Sequence, residues 1–203
     1  MREAWTRIVT WCERYAPEVL ANLNPGATDE QIAEAEAHLG VTFPDDLREL
    51  YRLHDGQKNG LGGASPFDVE EWLPLHDVVD GWDSWEELRK AGTFDGWETE
   101  TGDEVSKVWW HPCWIPFAYF GAGGEYCVDM SPAEAGTVGQ IIITWRNDAM
   151  RYIDTPSLAA WLGRIADDME SGELVYSVEE YQALAKWGNF DEETEWRGVG
   201  DGT

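Results

Sequence analysis

Three places in the sequence bring together residue types able to bind a metal ion: His54-Asp55, His76-Asp77 and the run His111-Pro112-Cys113. A zinc centre needs three or four ligands, each oriented by a further partner. Four histidines, of which His38 falls on an exposed helix face, are a thin supply, so no metal is expected. His54 reads instead as a packed, hydrogen-bonded residue near a helix end. Two carboxylates flanking a sugar bond would mean glycoside hydrolysis. With 40 acidic residues such pairs arise anywhere, and none stands alone in an apolar setting that would raise its pKa. Cys113 and Cys127 lie in no nucleophile motif, there is no G-x-S-x-G, and the glycines at 121–124 neither open a helix nor carry a lysine for phosphate. Asp129, in mid-strand, reads as an acceptor for a turn rather than as a base. The chain is expected to be non-catalytic and to use no cofactor.

What remains is binding. The formal charge is −26, from 40 acidic against 14 basic residues, which repels nucleic acid and anionic membrane and attracts basic proteins. The acid is concentrated: residues 68–104 hold 13 Asp and Glu against two Lys and Arg, and residues 167–203 hold 11 against two. Within the first block, Val69–Leu88 combines Trp72, Trp82 and Trp85 with Asp77, Asp80, Asp83, Glu86 and Glu87. Tryptophans of this kind anchor interfaces, and the carboxylates would steer a basic partner. The competing reading places the tryptophans in the core and the acids on a solvated face.

These residues must be positioned by a fold of 203 residues, whose 43% hydrophobic content and 13 tryptophans suffice for a substantial core. Three apolar runs, Trp114–Phe120, Glu125–Met130 and Gln140–Trp145, are separated by glycine- or proline-containing breaks and read as consecutive strands, with Met150–Ile153 as a fourth. Ile141-Ile142-Ile143 lacks the alternation of a strand with one wet face and is expected to be covered on both sides. Trp5, Ile8, Val9, Cys12 and Tyr15 stand at helical spacing. Thr28 and Gln31 form a capping box for a second helix that Gly40 ends, and Pro44 opens a third. Leu73-Pro74-Leu75 suggests an edge strand, and Ser84–Ala91 a short helix with Trp85 and Leu88 inward. Leu158, Trp161, Leu162, Ile165 and Met169 share a helix face, and Ser177 with Glu180 predicts a last helix to about Trp187. The fold class is therefore α+β: one domain at 20–172 with a central, mostly antiparallel or mixed sheet at about 114–153. An N-terminal helix (1–19), an insertion at 92–110 and a C-terminal helix with an acidic tail (173–203) surround it. Sparse, unpaired cysteines fit a reducing compartment. With no signal-like start and no apolar run near the roughly 20 residues of a membrane helix, a cytoplasmic location is expected.

The segment Leu23–Gly56 resembles the opening motif of the SUKH superfamily through Leu39-Gly40, Phe43-Pro44 and His54-Asp55-Gly56. A second block is similar too, in Trp114, Pro116-Phe117-Ala118, the glycine turn to Gly124, Asp129, Pro132, Gly136 and Gly139. The resemblance covers roughly residues 20–170 and implies a protein-binding role. That superfamily takes in yeast cell-wall assembly regulators and many bacterial immunity proteins. With the acidic charge and the short tail, it points first to an immunity protein that neutralises a basic, nuclease-type toxin. The alternative is a regulatory scaffold linked to cell-wall synthesis, and the third reading a carbohydrate-active enzyme.

Overall fold

The apolar stripe of the first 15 residues becomes α1 (Arg2–Tyr15) in the computed structural model, with Trp5, Ile8 and Cys12 buried. The model describes residues 1–58, 64–67, 69, 71–121 and 123–174 with their side chains, and the backbone alone at 175–177, 182–185, 189–190 and 196–197. Pro17 does more than end α1: it opens a five-residue turn of helix, α2 (Pro17–Ala21). α3 (Asp29–Leu39) starts at the expected capping box, Thr28 accepting from the Gln31 N–H and Gln31 reaching back, and ends at Gly40 in the left-handed region. Pro44 precedes α4 (Asp45–Leu53), which buries Leu47, Leu50 and Tyr51.

The edge strand lies two residues earlier than Leu73-Pro74-Leu75: β1 (Glu71–Trp72) pairs with Tyr119 and Ala118. Pro74, with no N–H to offer a ladder, stands at the N-cap of α5 (Leu75–Lys90), a helix twice as long as expected. Leu75, Val78, Trp82 and Trp85 are its buried stripe, while Leu88 is 36% exposed rather than inward. The meander follows as β3 (Trp114–Gly121), β4 (Gly124–Asp129), β5 (Gln140–Trp145) and β6 (Met150–Thr155), within one or two residues of the expected limits. With β2 (Glu100–Thr101), parallel to β6, the six-stranded sheet runs β1-β3-β4-β5-β6-β2. The segment 92–110 is thus tied into the domain, adding that strand and burying Val105, Trp109 and Trp110.

Both faces of the sheet are covered. α6 (Leu158–Ser171), capped by Ser157, sends Trp161 against Phe117 and Tyr126 on one face. On the other, Trp85 of α5 donates to Glu125 and stacks on Trp110, 5.0 Å between ring centres. Ile141, Ile142 and Ile143 lie between and are buried. Instead of a helix after Ser177, the backbone forms a hairpin, β7 (Leu174–Ser177) against β8 (Gln182–Ala185). Glu180 lies outside the described residues. Within the acidic tail, β9 (Asn189–Phe190) pairs with β10 (Trp196–Arg197).

The motif residues have separate structural tasks. Leu39, Trp114 and Phe117 are core, and Pro116 sits beside a bulge in β3. Gly124 opens β4 opposite Gly121. Asp129 is wholly buried; its Oδ1 accepts from Trp114 Nε1 (3.1 Å) and the Ser131 N–H (2.9 Å), and its Oδ2 from Gln140 Nε2 (3.0 Å). One carboxylate thereby joins β3, β5 and the turn that contains Pro132. Gly139, at φ 88°, returns that turn to the sheet and donates its N–H to the Asp129 carbonyl.

Candidate partner-binding surface

The tryptophans expected to anchor a partner are core residues. Trp72 is 0% exposed and Trp85 1%, and Trp82 donates its indole N–H to the Pro112 carbonyl at 2.9 Å. Trp72 meets the rings of Trp5, Tyr51 and Phe67. Glu86 is buried as well, in a two-point contact with Arg89 (2.7 and 2.6 Å) that holds its carboxyl below the usual range. The helix explains the split, since positions three and four apart turn the same way. The stripe carrying Trp82 and Trp85 faces the sheet, leaving Asp77, Asp80, Asp83 and Glu87 partly or fully exposed.

Of these acids Asp80 lines a groove of about 380 Å³ between α3 and α5. Its floor is apolar, from Ala35, Leu75 and Val79, and Glu34, Asp55 and Asp80 stand in its wall beside His38 and His76. Among the described residues no lysine or arginine lines it. His38 Nε2 lies 2.9 Å from Asp83 Oδ1, bracing α3 against α5, and His76 Nε2 is 3.4 Å from Asp77. Asp55, next to Gly56, accepts the Leu75 N–H on its Oδ1 at 2.8 Å. It thereby satisfies one of the free N–H groups at the start of α5, where Pro74 supplies no side-chain cap. Burial, reinforced by Asp77, raises the pKa of Asp55, against the lowering effect of that hydrogen bond; Glu71 is raised for the same two reasons. Carboxylates crowded this closely gain from a cation placed among them.

A larger groove, of about 760 Å³, runs between α1 and α6 over Trp11, Tyr15, Met169 and Leu174. Its Arg7 is already held by Asp167 and Glu170, so it shows no comparable excess of one charge. Among the described residues no group of three or more His, Cys, Asp and Glu is placed to hold a metal ion. His54 Nδ1 meets the Asn24 carbonyl at 2.8 Å, and His111 Nδ1 accepts the Cys113 N–H. No described helix is long and apolar enough to cross a membrane.

The sequence reading missed Glu34, His38 and Asp55, which reach the groove from two other elements. It also missed Trp97, 49% exposed in the segment after α5. That segment has no hydrophobic period, so nothing in it separates an inward face from an outward one.

Comparison with known proteins finds similarity to fungal proteins named as regulators. It is similar to the cell wall biosynthesis/cell cycle regulator of Schizosaccharomyces pombe, 32% identical over 84% of this chain and 36% of the relative. It is also similar to the glucan synthesis regulatory protein of Neurospora crassa, 26% identical over 83% and 38%. A third relative is the cell wall assembly regulator of Saccharomyces cerevisiae, 25% identical over 83% and 40%. The chain thus spans little more than a third of the length of these relatives. Their names overturn the expectation of a toxin-neutralising immunity protein and favour the regulatory alternative; they are named as regulators, not enzymes. The model of the SMI1/KNR4 family (SUKH-1) matches residues 26–164, and the chain belongs to that family.

Proposed function

We propose that the chain is a non-catalytic regulatory module in the control of cell-wall synthesis, which binds a basic segment of a partner protein in the groove between α3 and α5. The role is brought over from the relatives' names. The observation that carries the binding mode is the groove itself, where carboxylates from three elements surround an apolar floor with no lysine or arginine among them. A lysine or arginine side chain matches it, its stem covering Ala35, Leu75 and Val79 while its charge reaches Glu34, Asp55 and Asp80. The buried tryptophans behind α5 hold the helix rigid instead of touching the partner. Inhibition or recruitment by such a module needs an interface and no chemistry.

The test is fluorescence anisotropy with a labelled lysine-rich octapeptide. Reversing two groove charges together, Glu34→Lys with Asp80→Lys, is expected to weaken binding about 30-fold, near 2 kcal/mol for two screened contacts turned repulsive. Reversing Glu13 and Glu134, exposed and away from the groove, changes net charge equally and is expected to weaken binding less than about 3-fold. Equal losses in the two variants would mean attraction by net charge alone and would remove the groove from the account.

A further inference from the structure

Trp97 is the one tryptophan among the described residues that exposes about half its surface, 49%. It is not loosely attached. Its ring meets Trp109 nearly edge to face (84°) at 4.5 Å and Phe94 at 5.5 Å, two contacts that fix its orientation. Trp109 is itself held by the Arg151 guanidinium, 4.7 Å from its ring centre. The Trp109 indole N–H and the Thr99 hydroxyl are buried without a hydrogen-bond partner among the described residues. Its sequence neighbours are acidic: between Gly92 and Ser106 stand Asp95, Glu98, Glu100, Asp103 and Glu104, with no lysine or arginine. A fixed indole face beside the exposed carboxylates of Asp95 and Glu98 suits a planar cation. Arginine fits better than lysine, because guanidinium stacks on the ring and is the more weakly hydrated of the two. Because the ring is already held, little ordering entropy is lost when it is covered.

We propose that Trp97 receives an arginine side chain of the basic partner segment, with Asp95 and Glu98 as its counter-charges. This rests on the reading that the partner is basic, and adds which basic residue it carries and where that residue is held. Asp80, Asp83 and Glu87 lie along one side of α5, and past the helix end, in the stretch that leads into Trp97, Ala91 and Thr93 donate to the Glu87 and Leu88 carbonyls. Cationic side chains at both ends of one segment would engage the groove and the ring together.

The experiment compares two labelled octapeptides of equal charge, one arginine-rich and one lysine-rich, against the whole chain. Wild-type protein is expected to prefer arginine about 3- to 10-fold. Trp97→Ala should remove that preference, provided its circular dichroism and unfolding midpoint match wild type. Asp95→Lys with Glu98→Lys, which leaves the ring in place, should weaken the arginine peptide more than the lysine peptide. The groove variant (Glu34→Lys with Asp80→Lys) should weaken both peptides and keep the ratio. A preference that survives Trp97→Ala, or no preference in wild type while binding still depends on the groove, overturns the assignment of Trp97 alone. Failure of both peptides to bind wild type overturns it together with the basic-partner reading.

Discussion

Replacing Arg151 by methionine is expected to cost about 3–5 kcal/mol of stability, much of the roughly 5–15 kcal/mol that holds a domain of this kind together. Arg151 is 0% exposed, and among the described residues its guanidinium forms no ion pair with a carboxylate. Its nitrogens donate to the carbonyls of Trp109 (3.1 and 3.0 Å), Asp148 (2.6 Å), Met150 (2.8 Å) and Trp145 (2.8 Å). One side chain therefore ties the β5–β6 turn to the segment that carries Trp109. Burial pulls its pKa down to about 10, still far enough above neutrality to keep the charge. Glu125 contributes from further off: the strand pairing sets it opposite Thr144, and Thr144 opposite Arg151, in one row across three strands. Methionine fills similar space but removes these donors, and a buried carbonyl left unpaired costs about 1–3 kcal/mol where water cannot reach. Lysine should recover less than half, because three donors on one nitrogen cannot reach carbonyls spread around a planar fork. Urea unfolding measures both variants. A methionine variant within about 1 kcal/mol of wild type would mean that water serves these carbonyls.

Gly56→Ala should cost about 3 kcal/mol or more, against about 1 kcal/mol for Gly40→Ala. The two glycines have nearly the same backbone, φ 64° and 68°, and so share the penalty that a side chain brings in the left-handed region. Their surroundings differ. A Cβ on Gly40 meets nothing within 4 Å, whereas one on Gly56 would lie 2.6 Å from the Leu73 carbonyl carbon and 2.7 Å from the Trp72 oxygen. Those are backbone atoms beside a fully buried tryptophan and cannot turn aside. Chain and site are coupled here. Moving Gly56 displaces Asp55, frees the N-terminus of α5 and opens the groove, so peptide binding should fall along with stability. Equal unfolding midpoints for the two variants would contradict the close packing at Gly56.

The meander and the first three long helices were legible because their signals are local. Glycine and proline breaks bound the strands, the Thr28–Gln31 box and Gly40 bracket α3, and the unalternating isoleucines announce a strand covered on both faces. Asp129 was legible as a turn acceptor for the same reason. The block from Val69 to Leu88 was misread where two patterns overlap. Leu75, Val78, Trp82 and Trp85 already stand at helical spacing around Gly81, but Leu73-Pro74-Leu75 reads as an edge strand, and acids beside tryptophans resemble an interface. A glycine inside a helix costs about 1 kcal/mol, which packing of this stripe outweighs. The groove could not be read at all, because α3, the Asp55 turn and α5 meet only after folding. Ser177 carried a local helix signal that pairing with Gln182–Ala185 overrides, as strand pairing often does to propensity. Regulator and immunity protein were separable only by comparison, since residues such as Leu39, Gly56 and Asp129 build the fold and say nothing of what it binds.

The central claim, a regulator of wall synthesis acting through the groove between α3 and α5, is tested most directly inside a relative. The matching region of the Schizosaccharomyces pombe regulator is replaced by this chain, with and without Glu34→Lys and Asp80→Lys, and growth is scored under a wall-damaging agent at equal protein levels. The account predicts that the unaltered chain supports growth and that the charge-reversed chain does not. Equal growth with both would show that the groove is not the working surface. Failure of the unaltered chain, while the relative's own region restores growth, would contradict the shared regulatory role itself.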